Sequence, residues 1–252
     1  MEDNLFVKYK RIPHLDEVPH ILNNPVKVYE KIDGGNAQIR KIKGRVICGS
    51  RAHFLTREEF FSQDWFKDFQ KWALKDYRFY DLPENLIVYG EWTSKHVLNY
   101  RPDFTDKFFL LDVFDLDAKR FVPYNEGRDR LLGLKIEGPL YLRTLFSGKI
   151  KTEQLEKMVE KSDYRDGNME GVVIKNYDLQ EFAKLWTSTI KRKGIITQSD
   201  VKSIFLSLAD EGETVTKSKL LRQLESDLRR SNRNVSQKEI QDAVEKFYLS
   251  LI

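Results

Sequence analysis

Tyr29-Glu30-Lys31-Ile32-Asp33-Gly34-Gly35-Asn36 is the stretch on which the reading of this 252-residue chain turns. Its lysine follows an apolar run and precedes two glycines, so it stands where a strand gives way to a turn. Glycine lets a backbone come close to a ligand. A lysine at such a junction can act as a nucleophile once its pKa falls from about 10.4 toward neutrality. The same residues also spell an ordinary β-hairpin turn, for which Asp-Gly is a strong short cue. On this stretch alone both readings stand.

On either side, short apolar runs recur between turn signals: 26–29, 37–42, 46–48, 86–89, 108–114 and 172–174. Their length and β-branched content predict strands. Helices are interspersed. Thr56 and Glu59 spell a capping box ahead of Phe60, Phe61, Trp65, Phe69 and Trp72. Thr152 opens a second helix, with Leu155, Met158 and Val159 on one face. Sheet and helix without regular βαβ alternation predict an α+β domain. From about residue 195 the pattern turns helical. Val201, Ile204, Phe205 and Leu208 share a face, Leu221, Leu224 and Leu228 continue the spacing, and a Ser236–Glu239 capping box precedes Ile240, Val244, Phe247 and Leu251. Two domains are therefore expected, residues 1–194 and a small all-helical domain at 195–252.

Composition narrows the function. Basic residues number 43 against 39 acidic, a net charge of +4, which argues against a polybasic-tail binder. The single cysteine, Cys48, allows no internal disulfide and no cysteine-built zinc site. No stretch approaches the roughly 20 apolar residues of a membrane span. The expectation is a cytoplasmic protein with no membrane partner, acting as a monomer.

Further segments arrive in a particular order. Ser50-Arg51 follows a strand, Val88-Tyr89-Gly90-Glu91 carries a carboxylate, and Leu111-Asp112 lies in an apolar run. Glu170-Gly171-Val172-Val173-Ile174-Lys175 joins a carboxylate to a lysine, and Lys184-Leu185-Trp186 follows. Together with Lys31 this set resembles the covalent nucleotidyltransferase superfamily of ATP-dependent ligases and mRNA capping enzymes. Lys31 matches the motif I nucleophile, and Arg51 the arginine between the first and third motifs. Glu91 matches motif III, Asp112 motif IIIa, Glu170 motif IV and Lys184 the first lysine of motif V. Within the superfamily the resemblance is to RNA ligases of the second phage type. Asn36, two places beyond Gly34, is characteristic of them. The helical residues after Lys184 replace the five-stranded OB-fold of capping enzymes and most DNA ligases.

The resemblance implies a nucleotidyltransferase domain built on antiparallel sheets. It implies an ATP-dependent polynucleotide ligase, an RNA ligase joining 3′-hydroxyl and 5′-phosphate ends. Lys31 would take AMP from ATP, pass it to a 5′-phosphate, and a 3′-hydroxyl would displace it. Lys31, Glu91, Glu170 and Lys184 are the implied catalytic residues. Glu30, Ile32, Asn36, Arg51, Leu111 and Lys175 join Lys31, Glu91 and Lys184 around the nucleotide, and Glu170 and Glu91 would hold Mg²⁺. The implied partners are RNA ends, in a nicked duplex or a DNA-containing substrate included. Two positions depart from the pattern. Leu111 stands where an aromatic stacks on adenine, and Trp186 stands where a second motif V lysine is expected, with Lys191, Arg192 or Lys193 close behind. A minimal DNA ligase, a GTP-dependent guanylyltransferase and a non-catalytic nucleic-acid-binding module are the alternatives.

Overall fold

The computed structural model describes residues 5–51, 53–55, 64–94, 98–187, 192–193, 196, 201, 204–205, 208, 215–230 and 233–249. The chain forms two compact units, 1–185 and 186–252. In the first, all six of the expected runs lie inside strands. These are β1 (Val26–Glu30), β2 (Gly35–Ile42), β3 (Arg45–Ser50), β4 (Leu86–Thr93), β5 (Lys107–Asp115) and, further on, β9 (Gly171–Asn176). Between them come β6 (Arg120–Val122), β7 (Leu140–Tyr141) and β8 (Thr144–Gly148), and β10 (Glu181–Trp186) follows. Helices α1 (Asp64–Leu74), α2 (Tyr124–Gly133) and α3 (Thr152–Met158) are interleaved. The expected α+β class holds.

The strands make two sheets. One has the order β10-β9-β1-β8, with β1 antiparallel to both β8 and β9. The other runs β3-β2-β4-β5-β6 through antiparallel pairs, with β7 added parallel to β5. Alternation along β1 and β9 gives the first sheet two faces. Val26, Val28, Val172 and Ile174 pack with Leu155 and Val159 under α3. Burial of each such side chain contributes about 1.5–3 kcal/mol. Tyr29, Val173 and Lys175 alternate with them, and Tyr29 belongs to the larger core.

That larger core is aromatic. Phe69 and Trp72 of α1 stack on Phe108, at centroid distances of 5.7 and 5.2 Å. Gly90 lies beneath the same ring, where an added Cβ would meet Phe108 Cζ at 2.1 Å. The glycine lets the ring cover β4, and the stacked partners hold the ring in place. The expected Thr56–Glu59 capping box, with Phe60 and Phe61, lies outside the described residues.

The register between β4 and β5 slips once. Tyr89 faces Asp112 and Gly90 faces Leu110, so Leu111 is skipped. This bulge leaves Phe109, opposite Glu91, on the same face as Asp112.

The second unit has its own core of Val201, Leu208, Leu220, Leu224, Leu228, Ile240, Val244 and Phe247. Its longer helices are α4 (Lys217–Arg230) and α5 (Gln237–Leu249). The buried stripe of α4 starts at Leu220 rather than Leu221, which is half-buried, because 220, 224 and 228 repeat at i+4. Leu251 lies outside the described residues. The Ser236–Glu239 capping box forms: Ser236 N donates to Glu239 Oε2 at 2.9 Å and Glu239 N to Ser236 Oγ at 3.3 Å. A two-residue parallel pairing joins Arg192–Lys193 to Arg233–Asn234. No described helix is long and apolar enough to cross a membrane.

Candidate active site

The hairpin reading of Asp33-Gly34 does not hold, because β1 and β2 belong to different sheets. Residues 31–34 carry the chain from one sheet to the other. Lys31 N donates to Gly171 O at 2.9 Å, which ties this link to the start of β9. Asp33 N donates to Tyr100 Oη at 2.6 Å, and Asp33 Oδ2 accepts from Leu98 N at 3.0 Å. Gly34 serves packing: a Cβ there would lie 2.5 Å from the Trp92 carbonyl oxygen. The close approach expected of a glycine is thus to β4 itself.

A single cleft gathers the candidate residues. It is lined by Glu30, Lys31 and Ile32 at the end of β1, Asn36 on β2, Arg51 after β3, Glu91 on β4 and Leu111 on β5. Lys175 on β9 and Lys184 on β10 complete the set. Glu170 adjoins it, with Oε2 2.8 Å from Lys31 Nζ. Antiparallel register explains part of the convergence, since Asn36 and Glu91 are direct cross-strand partners. Sequence reasoning missed Tyr9, Lys10, Ile12, Leu142 and Val173, which also line the cleft. The N-terminal segment has no motif. It is held by Lys184 N donating to Pro13 O and Leu15 N donating to Lys184 O, both at 2.9 Å. That pairing also fixes the backbone of Lys184.

The charges divide into two groups. In the first, Lys31 meets Glu170, whose side chain is only 2% exposed. Burial pushes Glu91 up to about 7; Lys31 pulls it back, and Glu170 and Asp33 push it further up. Carboxylates that raise one another's pKa in this way suit a divalent cation. Among the described residues no group of three or more His, Cys, Asp or Glu gathers. A divalent cation held by Glu170 and Glu91 alone would need water or phosphate oxygens to complete its shell.

The second group centres on Asp112, against the cleft-lining Tyr9 and Lys175. Asp112 is fully buried; its Oδ2 is 2.7 Å from Lys175 Nζ and accepts from Tyr9 Oη at 2.5 Å. Its Oδ1 accepts from Tyr177 Oη at 2.7 Å. Lys175 also donates to the Leu111 carbonyl at 2.8 Å, the one displaced by the bulge. Burial holds Lys175 below the usual lysine range, and Asp112 opposes that. Lys175 was expected to offer its charge to phosphate. It lines the cleft, with its ammonium held by Asp112 and by the Leu111 carbonyl. Leu111 itself lines the cleft with an aliphatic side chain.

Glu30 lines the cleft while its carboxylate is clasped elsewhere, by Ser162 Oγ and by Asp163 N at 3.1 Å. Burial pushes it up to about 7 from 4.5, against the two hydrogen bonds. The folded value is raised, so the stability from this group is full below about pH 4.5 and is lost as pH rises through about 7. The melting temperature should fall across that window. Glu30→Gln should flatten part of the fall and leave the share of Glu91, which has the same sign. A Glu30→Gln profile as steep as that of the parent would contradict the assignment.

Of the motif V neighbours, Lys191 lies outside the described residues, and Trp186, Arg192 and Lys193 belong to the second unit.

No curated protein matches the chain. Its fold is similar to that of Naegleria gruberi RNA ligase, in a lysine-to-methionine variant with AMP and Mn (TM-score 0.56, 18% identity, 72% of this chain and 56% of that one). A glutamate-to-alanine variant with AMP and Mn gives a TM-score of 0.55 at 19% identity, with the same coverage. The pyrophosphate complex gives 0.54 at 18%, again over 72% of this chain and 56% of that one. The chain thus spans a little over half the length of the structures it matches. The model of the RNA ligase family matches residues 24–193, which takes in Lys31, Arg51, Glu91, Glu170 and Lys184. On that match the chain belongs to the RNA ligase family.

Proposed function

We propose that this protein is an ATP-dependent RNA ligase that seals 3′-hydroxyl and 5′-phosphate ends through a lysyl-AMP intermediate. The observation that carries the reading is the meeting of Lys31 Nζ and Glu170 Oε2 at 2.8 Å beside a cleft lined by Arg51, Glu91 and Lys184. Lys31, as the neutral amine, attacks the α-phosphorus of ATP; the N–P bond forms, the bond to pyrophosphate breaks, and the amine proton leaves. The adenylate then passes to a 5′-phosphate, and a 3′-hydroxyl displaces AMP to close the phosphodiester. Phosphoryl transfer calls for fixed positive charge more than for acid–base groups, and Arg51 and Lys184 are placed to supply it. Glu170 and Glu91 would hold Mg²⁺, which would supply positive charge at the phosphate oxygens. Asn36 and Ile32 orient the nucleotide, with Leu111 giving the base an aliphatic wall in place of a stacking ring. In this reading residues 1–194 carry adenylyl transfer and 195–252 form a separate helical domain.

The test is intact mass after incubation with Mg²⁺ and ATP, with GTP in a parallel tube. A gain of one AMP is expected with ATP alone. A GMP gain would make the protein a guanylyltransferase. No gain with either, after pyrophosphate has stripped any preloaded nucleotide, would leave a non-catalytic binding module.

A further inference from the structure

Among the described side chains, exposed rings of Phe, Tyr or Trp occur at one place, Tyr77 and Tyr80, which are 81% and 56% exposed. Soluble domains scatter single exposed aliphatics freely, but neighbouring exposed aromatics mark interaction surfaces. The two rings meet edge to face, at a centroid distance of 6.1 Å and 89°. Tyr77 also holds a left-handed backbone, at φ 52°. That conformation is rare for a bulky residue and costs free energy. Here the cost is not offset by burial of the ring.

The surroundings are basic. Lys41 Nζ sits 5.5 Å from the Tyr80 ring centroid and donates to the Tyr80 carbonyl at 2.8 Å. Lys43 and Arg45 are exposed on the hairpin joining β2 to β3, and Arg78 is partly exposed beside Tyr77. Of the nearby carboxylates, Glu84 accepts from Gly44 N at 2.7 Å, and Asp81 is exposed. Aromatic faces interleaved with Lys and Arg are what a single nucleic-acid strand uses, since bases stack and phosphates pair with cations. A protein partner would not require this excess of positive charge.

We propose that Tyr77 and Tyr80 form a stacking platform for single-stranded RNA, outside the cleft; the proposal rests on the RNA ligase reading above. Its position sets a length requirement. From Asn36 in the cleft to Lys41 at the platform, β2 spans roughly 17 Å at about 3.3 Å per residue. Asn36 and Lys41 are an odd number of residues apart on a regular strand and so face opposite sides of the sheet. A strand rising about 3.4 Å per nucleotide therefore needs more than the roughly five nucleotides of the direct span to pass the sheet edge. An RNA with its end in the cleft must be longer than that before it reaches the tyrosines, which a trinucleotide cannot do.

The experiment is fluorescence anisotropy with 5′-phosphorylated single-stranded RNA of twelve and of three nucleotides, alongside adduct yield by mass. Tyr77→Ala should weaken the twelve-mer about tenfold, the scale of one lost stacking contact. It should leave the trinucleotide and the adduct yield unchanged, and Tyr77→Phe should bind as the parent does. Parent-like binding of the twelve-mer by Tyr77→Ala overturns the platform, as does an equal loss in Tyr77→Phe. So does sedimentation showing that the parent self-associates and Tyr77→Ala does not, which would make the patch a protein contact. If the parent takes up no AMP while the tyrosine dependence persists, the ligase reading fails and the platform stands.

Discussion

Lys31→Ala is expected to give no adduct at all on incubation with ATP and Mg²⁺, while the fold survives. The proposed chemistry has one nucleophilic atom, and truncation removes it, so the loss is complete rather than graded. The cost to the fold is limited by the position of the residue. Lys31 is partly solvated, at 23% side-chain exposure, so the charge left on Glu170 is not sealed from water. The Lys31 amide still donates to Gly171 O, which keeps the link between the sheets in place. Intact mass and thermal melting on the same preparation separate lost chemistry from lost structure. An adduct of undiminished yield in the variant would place the nucleophile elsewhere.

The largest stability effect is expected at Asp112. Its carboxylate answers Lys175, Tyr9 and Tyr177, and neither it nor Lys175 is more than 2% exposed. Asp112→Ala leaves an ammonium buried without its counter-charge, which costs about 3–5 kcal/mol. The two hydroxyls lose their acceptor in addition. In urea the unfolding midpoint should drop accordingly. Lys175→Met on the Asp112→Ala background should recover much of the loss, because the penalty belongs to the stranded charge. A midpoint unchanged in Asp112→Ala would show that the network contributes nothing net.

Much of the cleft was legible because its residues sit at strand ends and on cross-strand pairs with local signatures. Lys31 precedes two glycines, Glu170 precedes a run of β-branched residues, and Glu91 lies within an apolar strand. These cues survive in one dimension, and the fold brings them to one place. Tyr9 carries no such cue. Its partner Asp112 is 103 residues away, and nothing in Val7-Lys8-Tyr9-Lys10 announces a cleft wall. The clasp of Glu30 by Ser162 was hidden for the same reason, being a contact across 132 residues. The hairpin reading of Asp33-Gly34 failed on topology: a dipeptide reports a change of direction, and says nothing of which sheet the chain enters next. The helical stripe of the second unit was legible in spacing, and its one-residue offset at Leu220 reflects two adjacent leucines that periodicity alone does not rank.

The bulge at Leu111 makes β5 two strands spliced out of phase. The half with Phe109 follows one reading frame of in and out, the half with Asp112 the other, and Leu111 is the residue that shifts the frame. Any replacement of Leu111 that preserves its backbone keeps the frame, whatever it does to the cleft wall. Removing the residue would merge the halves into one frame with Phe109 and Asp112 still sharing a face, and would take away the carbonyl to which Lys175 donates. The extra residue of β5 therefore belongs to the site through its backbone: a substitution at Leu111 keeps the carbonyl that steadies Lys175, and a deletion spares the facing of Asp112 but not that contact.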